Sequence, residues 1–94
     1  MTEESVPEIE IYTSPFCGFC ARAKQLLAAK GVDFTEIDTF MSGSKRREMS
    51  ERAGGRTSVP QIFVGGEHLG DCNEIYAMDG RGELDAALVL TEAN

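Results

Sequence analysis

The stretch Thr13-Ser14-Pro15-Phe16-Cys17-Gly18-Phe19-Cys20 runs directly into Ala21-Arg22-Ala23-Lys24-Gln25-Leu26-Leu27. It sets two thiols either side of two residues, with an extended apolar segment before them and a helix-like segment after them. A strand that ends in a loop bearing C-x-x-C, which then opens a helix, is the arrangement of a redox site. The reason is local. A cysteine at a helix N-terminus faces unpaired backbone N–H groups and the positive end of the helix dipole, both of which stabilise a thiolate. Its partner three residues on lies about one helical turn deeper, near enough to close a small disulfide ring. Cys17 is therefore the expected reactive thiol, and the remaining residues are expected to hold it and present substrates to it.

Working outward, Glu8 to Thr13 alternates with period two and reads as a strand. After the cysteine loop, Cys20, Ala23 and Leu27 fall at i, i+3 and i+7, widened by Leu26. That predicts an amphipathic helix to about Lys30, stopped by Gly31, with Cys20 facing inward and Cys17 at the exposed tip. Val32 to Asp38 supplies a second strand, making a right-handed βαβ unit with parallel strands. Ser42 or Ser44 can cap a short basic helix through Arg52, ended by Gly54-Gly55, with Met41, Met49 and Ala53 as its apolar face. Gln61–Val64 and Glu67–Leu69, joined by Gly65-Gly66, form a tight hairpin whose leading Pro60 is tolerated at a strand start. Asp71 with Glu74 gives a capping-box start to a helix through Met78, and Asp79-Gly80-Arg81-Gly82 breaks it. Leu84, Ala87 and Leu88 mark a last helix ending near Leu90. The order β-α-β-α-β-β-α-α predicts a small α/β sandwich.

Composition narrows the function. Ninety-four residues with 41% hydrophobic content suit one domain, expected at 8–90 between a disordered tail over 1–7 and a short tail over 91–94. A net charge of −7 argues against nucleic acid as a partner. No signal-peptide pattern or bilayer-length apolar run is present, so a cytoplasmic protein without membrane contact is expected. Cations nonetheless cluster at Lys45, Arg46, Arg47, Arg52 and Arg56 and again at Arg22, Lys24 and Lys30. They form either solvated helix faces or a positive field around the thiols suited to a small anionic substrate. Three cysteines are too few for a disulfide framework, which leaves the C-x-x-C catalytic or metal-binding.

Three segments together carry a family resemblance: Ile11-Tyr12-Thr13 with Cys17-Gly18-Phe19-Cys20-Ala21-Arg22-Ala23-Lys24, then Thr57-Ser58-Val59-Pro60-Gln61-Ile62-Phe63-Val64, then Gly70-Asp71-Cys72-Asn73-Glu74-Ile75-Tyr76. In this order and spacing, from about Glu8 to Leu90, the chain resembles the small dithiol glutaredoxins of bacteria. The resemblance implies a thioredoxin fold, a four-stranded mixed sheet flanked by helices on both faces, with a cis peptide between Val59 and Pro60. It implies a glutathione-dependent oxidoreductase that reduces protein disulfides and glutathione mixed disulfides, with Cys17 as nucleophile and Cys20 as resolving thiol. By the same resemblance, Phe19 borders a glutathione groove. Ser58, Val59 and Pro60 form its wall, with the Val59 backbone pairing the cysteinyl part, and Asp71, Cys72 and Asn73 hold the γ-glutamyl carboxylate at a helix start. Free N–H groups at such a start do bind carboxylates well. The implied partners are glutathione and glutathionylated or disulfide-containing proteins.

Two positions depart from the family pattern. Gly18 stands where proline is common after the nucleophile. Within the family, a small residue there is associated with a [2Fe-2S] cluster bridged between two subunits, ligated by the nucleophile of each and two glutathiones. A monomer that becomes a cluster-bridged homodimer is thus the alternative function. Ser14 stands where a lysine often meets the glycyl carboxylate, leaving Arg22 or Lys45–Arg47 as replacements.

Other expectations compete. Cys17, Cys20, His68 and Cys72 have the ligand types of a zinc site, although zinc knuckles flank C-x-x-C with turns rather than a helix. A thioredoxin-like donor that ignores glutathione is a further rival, weakened by the absence of tryptophan before the motif. Cys72 reads as a small residue at a crowded helix start or as a regulatory thiol, and His68 as a surface hairpin residue. Phe16 and Phe19 are either loop packing or substrate contacts.

Overall fold

The computed structural model describes residues 8–89. The expected tails and the helix end at Leu90 lie outside them. The elements are β1 (Ile9–Thr13), α1 (Gly18–Ala29), β2 (Thr35–Asp38), α2 (Gly43–Arg52), β3 (Gln61–Val64), β4 (Glu67–Gly70), α3 (Cys72–Gly80) and α4 (Leu84–Val89). The strands form one mixed sheet in the order β2-β1-β3-β4, with β1 parallel to β2 and antiparallel to β3, and β3 antiparallel to β4. This is the thioredoxin fold that the resemblance implied, including the cis Val59–Pro60 peptide.

Strand parity divides the interior into two cores. Ile9 and Ile11 of β1 and Ile62 and Val64 of β3 point to one face, where Ala23, Leu26 and Leu27 of α1, Ile75 of α3 and Leu84 and Leu88 of α4 close over them. The intervening Tyr12 and Phe63 point to the other, against Met49 and Ala53 of α2. Leu27 is wholly buried, and truncating such a residue to alanine costs about 2–5 kcal/mol. The thinner α2 core is reinforced by Arg52. Its guanidinium lies 4.3 Å from the centroid of Phe63, donates to Tyr12 Oη at 2.7 Å and pairs with Glu10 at 2.6 Å. One long side chain thus ties α2 to two strands.

The sequence pattern locates the elements well and errs at several edges; α3 runs through Asp79 to Gly80 rather than breaking after Met78. β2 starts at Thr35 rather than Val32, because its pairing with β1 begins at Glu10↔Thr35. Val32 and Phe34 instead pack against the core as a connecting segment. Of the two candidate caps for α2, Ser42 serves, its hydroxyl accepting from the Lys45 N–H at 3.2 Å. Met41 then precedes the cap, so helical spacing no longer applies to it. It is 88% exposed at φ +56 and forms no part of the apolar face. In the hairpin, Gly65 and Gly66 have φ of +60 and +86, as a type I′ turn requires. β4 runs one residue past Leu69 to Gly70, and a bulge interrupts its register with β3: Phe63 pairs His68, whereas Ile62 pairs Gly70.

The capping box at α3 is complete. Asp71 accepts from the Glu74 N–H at 2.9 Å, and Glu74 accepts from the Asp71 N–H at 2.8 Å. Gly70 makes room for it. A Cβ at this φ of +137 would stand 2.6 Å from Glu74 Oε1 and 2.8 Å from Glu74 Cβ. Gly70→Ala is therefore expected to open the box and lower stability by about 1–3 kcal/mol, read as a reduced urea midpoint. An unchanged midpoint would show that the α3 start does not depend on this close approach.

Candidate active site

β1 delivers the chain to the thiol loop, and α1 begins at once. Cys17 is the N-cap of α1, with extended backbone (φ −111, ψ 107), and its Sγ accepts from the Cys20 N–H at 3.2 Å. When the sulfur carries charge, that bond becomes charge-assisted. Cys17 is half-buried, with Sγ 3.9 Å from the carbonyl oxygen of Val59, to which a thiol can donate. Cys20, one turn on, is only 2% exposed. Its thiol is pushed up to about 12, chiefly by burial and then by its hydrogen bond to Cys17 and the charge there; the Ser14 backbone and Lys24 act in the opposite sense. The two sulfurs differ in access as their helical phase predicts.

Phe19, Ser58, Val59, Pro60, Asp71, Cys72 and Asn73 line one groove. Its walls come from the starts of α1, β3 and α3. At α3 the Asp71 carboxylate takes the Glu74 N–H. The first-turn N–H groups of Cys72 and Asn73 have no helical acceptor and are open to a ligand's carboxylate. Arg56 braces the opposite walls, donating to Asp71 Oδ2 at 2.9 Å and Glu74 Oε1 at 2.8 Å. Cys72 is buried in the groove wall, and burial raises its thiol pKa.

A second cleft, on the Ser14 side of the thiols, was not anticipated. Ser14, Cys17, Cys20, Lys24 and Glu36 all border it. Glu36 accepts from Thr13 Oγ1 at 2.7 Å and Lys24 Nζ at 3.0 Å, and these two bonds, Thr13's first, hold its carboxyl below the usual range. The available signal was Lys24, four residues beyond Cys20 and so on the same side of α1.

Several expectations are corrected here. The basic residues do not create a broad positive field, because most are paired. Arg52 joins Glu10, Arg56 joins Asp71 and Glu74, Lys45 joins Glu48, Lys24 joins Glu36, and Lys30 joins Asp79 and Asp85. Arg22 stacks over Tyr76 at 5.3 Å. None of the seven groove residues is cationic, and Ser14 instead borders the second cleft beside Lys24. Among the described residues, no group of three or more His, Cys, Asp or Glu side chains could hold a metal ion. The set Cys17, Cys20, His68 and Cys72 is therefore not assembled as a zinc site. Phe16 is fully exposed at φ +62 at the edge of the second cleft, while Phe19 borders the groove. His68 is half-buried and hydrogen-bonded rather than a free surface residue.

Access alone predicts labelling order. Brief treatment of the reduced protein with iodoacetamide at neutral pH is expected to modify Cys17 and spare Cys20 and Cys72, as peptide mass spectrometry would read. Labelling of Cys20 first would reverse the assigned roles.

Comparison with known proteins agrees with this geometry. A glutaredoxin family profile matches residues 9–69. Glutaredoxin 3 of Escherichia coli is 50% identical over 80 residues, spanning 85% of this chain and 95% of that protein. The solution structure of glutaredoxin from Brucella melitensis superposes with a TM-score of 0.82 at 44% identity, covering 99% of this chain and 100% of that one. Another structure, from work on metal binding of glutaredoxins, gives a TM-score of 0.68 at 44% identity and covers 95% of this chain and 96% of that one. A thioredoxin fold, a capping thiol with a buried partner, and these relatives converge: the chain belongs to the glutaredoxin family of thiol–disulfide oxidoreductases.

Proposed function

We propose that the protein is a glutathione-dependent oxidoreductase that reduces glutathione mixed disulfides and protein disulfides through Cys17, with Cys20 resolving. The observation that carries this reading is the single groove built by Phe19, Ser58, Val59, Pro60, Asp71, Cys72 and Asn73, with Val59 in reach of Cys17 Sγ and unpaired helix N–H groups at Cys72 and Asn73. A glutathionyl group laid along it has its sulfur at Cys17 and its γ-glutamyl carboxylate at the start of α3.

The Cys17 thiolate attacks the glutathione sulfur of a mixed disulfide. A Cys17–glutathione bond forms, the original S–S bond breaks, and the protein leaves as a thiolate that takes a proton from water. A second glutathione, as thiolate, attacks the bound glutathione sulfur, releasing glutathione disulfide and regenerating the Cys17 thiolate. With a protein disulfide, the Cys17 thiolate attacks one sulfur, breaking the substrate S–S bond and releasing its first thiolate. Cys20, giving up its proton, then attacks Cys17 Sγ, forming the internal disulfide and releasing the second substrate thiolate. Two glutathione thiolates reduce that internal disulfide in turn, leaving as glutathione disulfide. Burial keeps Cys20 protonated in the resting enzyme, which holds it back from this second route. Once Cys17 enters a disulfide, its charge and its demand on the Cys20 proton are gone. Lys24 then remains as the cation favouring the Cys20 thiolate.

The cytoplasm, with its reduced glutathione pool, is the proposed compartment, consistent with three free cysteines. Cys17→Ser is expected to abolish turnover of a glutathionylated peptide coupled to glutathione, glutathione reductase and NADPH. Cys20→Ser is expected to keep deglutathionylation while losing reduction of dithiol-type protein disulfides. Equal losses in both variants, or regeneration by thioredoxin reductase but not by glutathione, would sink the assignment.

A second reading rests on Gly18, where an added Cβ would meet nothing within 4 Å, so the surface above the motif is open. Cys17 is the one cysteine not buried, so a chain offers a single thiolate ligand. A [2Fe-2S] cluster would then draw on Cys17 of two copies and two glutathione thiolates held in the grooves, supplying electron or cluster transfer when bound. The relative studied for metal binding supports testing this. Anaerobic reconstitution with iron, sulfide and glutathione is expected to give a coloured dimer; a colourless monomer excludes the reading.

A further inference from the structure

Gln61 is fully buried, although it opens a strand otherwise made of apolar residues. Parity places it: Ile62 and Val64 enter the α1–α3–α4 core, which turns Gln61 and Phe63 to the opposite face. A buried primary amide must find partners for its donors and acceptor. Gln61 Nε2 lies 3.1 Å from the Ser58 carbonyl oxygen and 3.3 Å from Ser58 Oγ, and Oε1 lies 2.5 Å from His68 Nε2. The direction of this chain is fixed by chemistry. A carbonyl oxygen only accepts, so the amide NH2 must face Ser58; Oε1 then faces the imidazole, and His68 Nε2 must carry a hydrogen.

The Gly65-Gly66 turn sets His68 opposite Phe63, in register with the Val64–Glu67 pair and ahead of the bulge, with ring centroids 5.1 Å apart. Burial lowers its pKa, the Arg56 charge adds to that, and Glu74 and Asp71 oppose it. At neutral pH the ring is the neutral Nε2–H form.

The Ser58 carbonyl and the Val59 N–H are two ends of one planar trans peptide, so they point in opposite directions. Holding the oxygen inward on Gln61 turns the Val59 N–H outward. Ser58 and Val59 both line the groove, and the Val59 carbonyl is 3.9 Å from Cys17 Sγ. We infer that His68 and Gln61 are positioning residues for the glutathionyl half of the substrate: His68 orients the Gln61 amide, and Gln61 fixes the Ser58–Val59 peptide so that its N–H faces the groove. Neither side chain lines the groove. The inference rests on the glutathione reading of that groove and adds the residues that set its affinity.

The test is steady-state kinetics with a glutathionylated peptide and with the same peptide as a disulfide to a non-glutathione thiol. His68→Phe keeps the ring against Phe63 and removes the donor; Gln61→Met keeps volume and removes the amide; His68→Gln returns an N–H near the position of Nε2. One hydrogen bond corresponds to about a 3- to 10-fold change. KM for the glutathionylated peptide is expected to rise by about that factor in His68→Phe and Gln61→Met, with kcat within about 2-fold and recovery in His68→Gln. Unchanged KM, or parallel loss of kcat and KM selectivity without recovery, overturns the relay. If the wild-type protein does not prefer the glutathionylated peptide, the glutathione reading itself fails. Should the variants not fold, nitrogen-15 NMR of the wild-type imidazole decides the matter: Nε2–H is expected, and a neutral Nδ1–H ring overturns the relay.

Discussion

The hydrogen bond from the Cys20 N–H to Cys17 Sγ joins fold and chemistry in one contact. A helix start leaves backbone donors without partners, and an acceptor side chain at the cap must take one of them. Serine or aspartate would serve as well for the helix, but only cysteine makes the cap a nucleophile. The same bond fixes where the sulfur sits, since α1 is anchored through Ala23, Leu26 and Leu27 in the larger core. Packing around those residues therefore determines the position of an atom several residues away.

Around this contact the sheet acts as a two-sided platform. Its larger core fixes α1 and α3, the helices whose N-termini flank the groove, and its smaller core fixes α2 through Met49, Ala53 and Arg52. The groove draws on segments far apart in the chain, so something must hold them together across its width. Arg56 does this with paired bonds to Asp71 and Glu74, linking the segment before Pro60 to the start of α3. Each such partly exposed ion pair contributes about 1 kcal/mol or less, which suits a brace that positions rather than a bond that supports the fold.

The features legible in the sequence were those written in local chemistry. The C-x-x-C at a helix start, the Asp71–Glu74 capping box, the Gly65-Gly66 turn and the alternation of Ile9 to Tyr12 each have a short-range cause. What escaped reading depends on partners distant in sequence. Arg52 and Arg56 read as parts of a positive field because their partners Glu10, Asp71 and Glu74 are distant in sequence. Met41 carried an apolar side chain at helical spacing, yet the helix was capped one residue later. Nothing local marks Gln61 as buried, since its partners are Ser58 and His68. Glu36 was hidden for the same reason, its place beside Thr13 and Lys24 being set by β1–β2 pairing.

The β3–β4 register carries an evolutionary consequence. Hairpin turns usually tolerate gain or loss of a residue, because the lengthened loop simply protrudes into solvent. Here β4 must present His68 across from Phe63 and, after one extra residue, Gly70 beneath Glu74. Inserting or deleting a single residue between Val64 and His68 without a compensating slip would invert the facing of the second strand. His68 would turn away from Gln61, and a side chain would be forced toward the Gly70 position. Variation in this turn should therefore occur by substitution at fixed length, making an exposed loop one of the least length-tolerant parts of the chain.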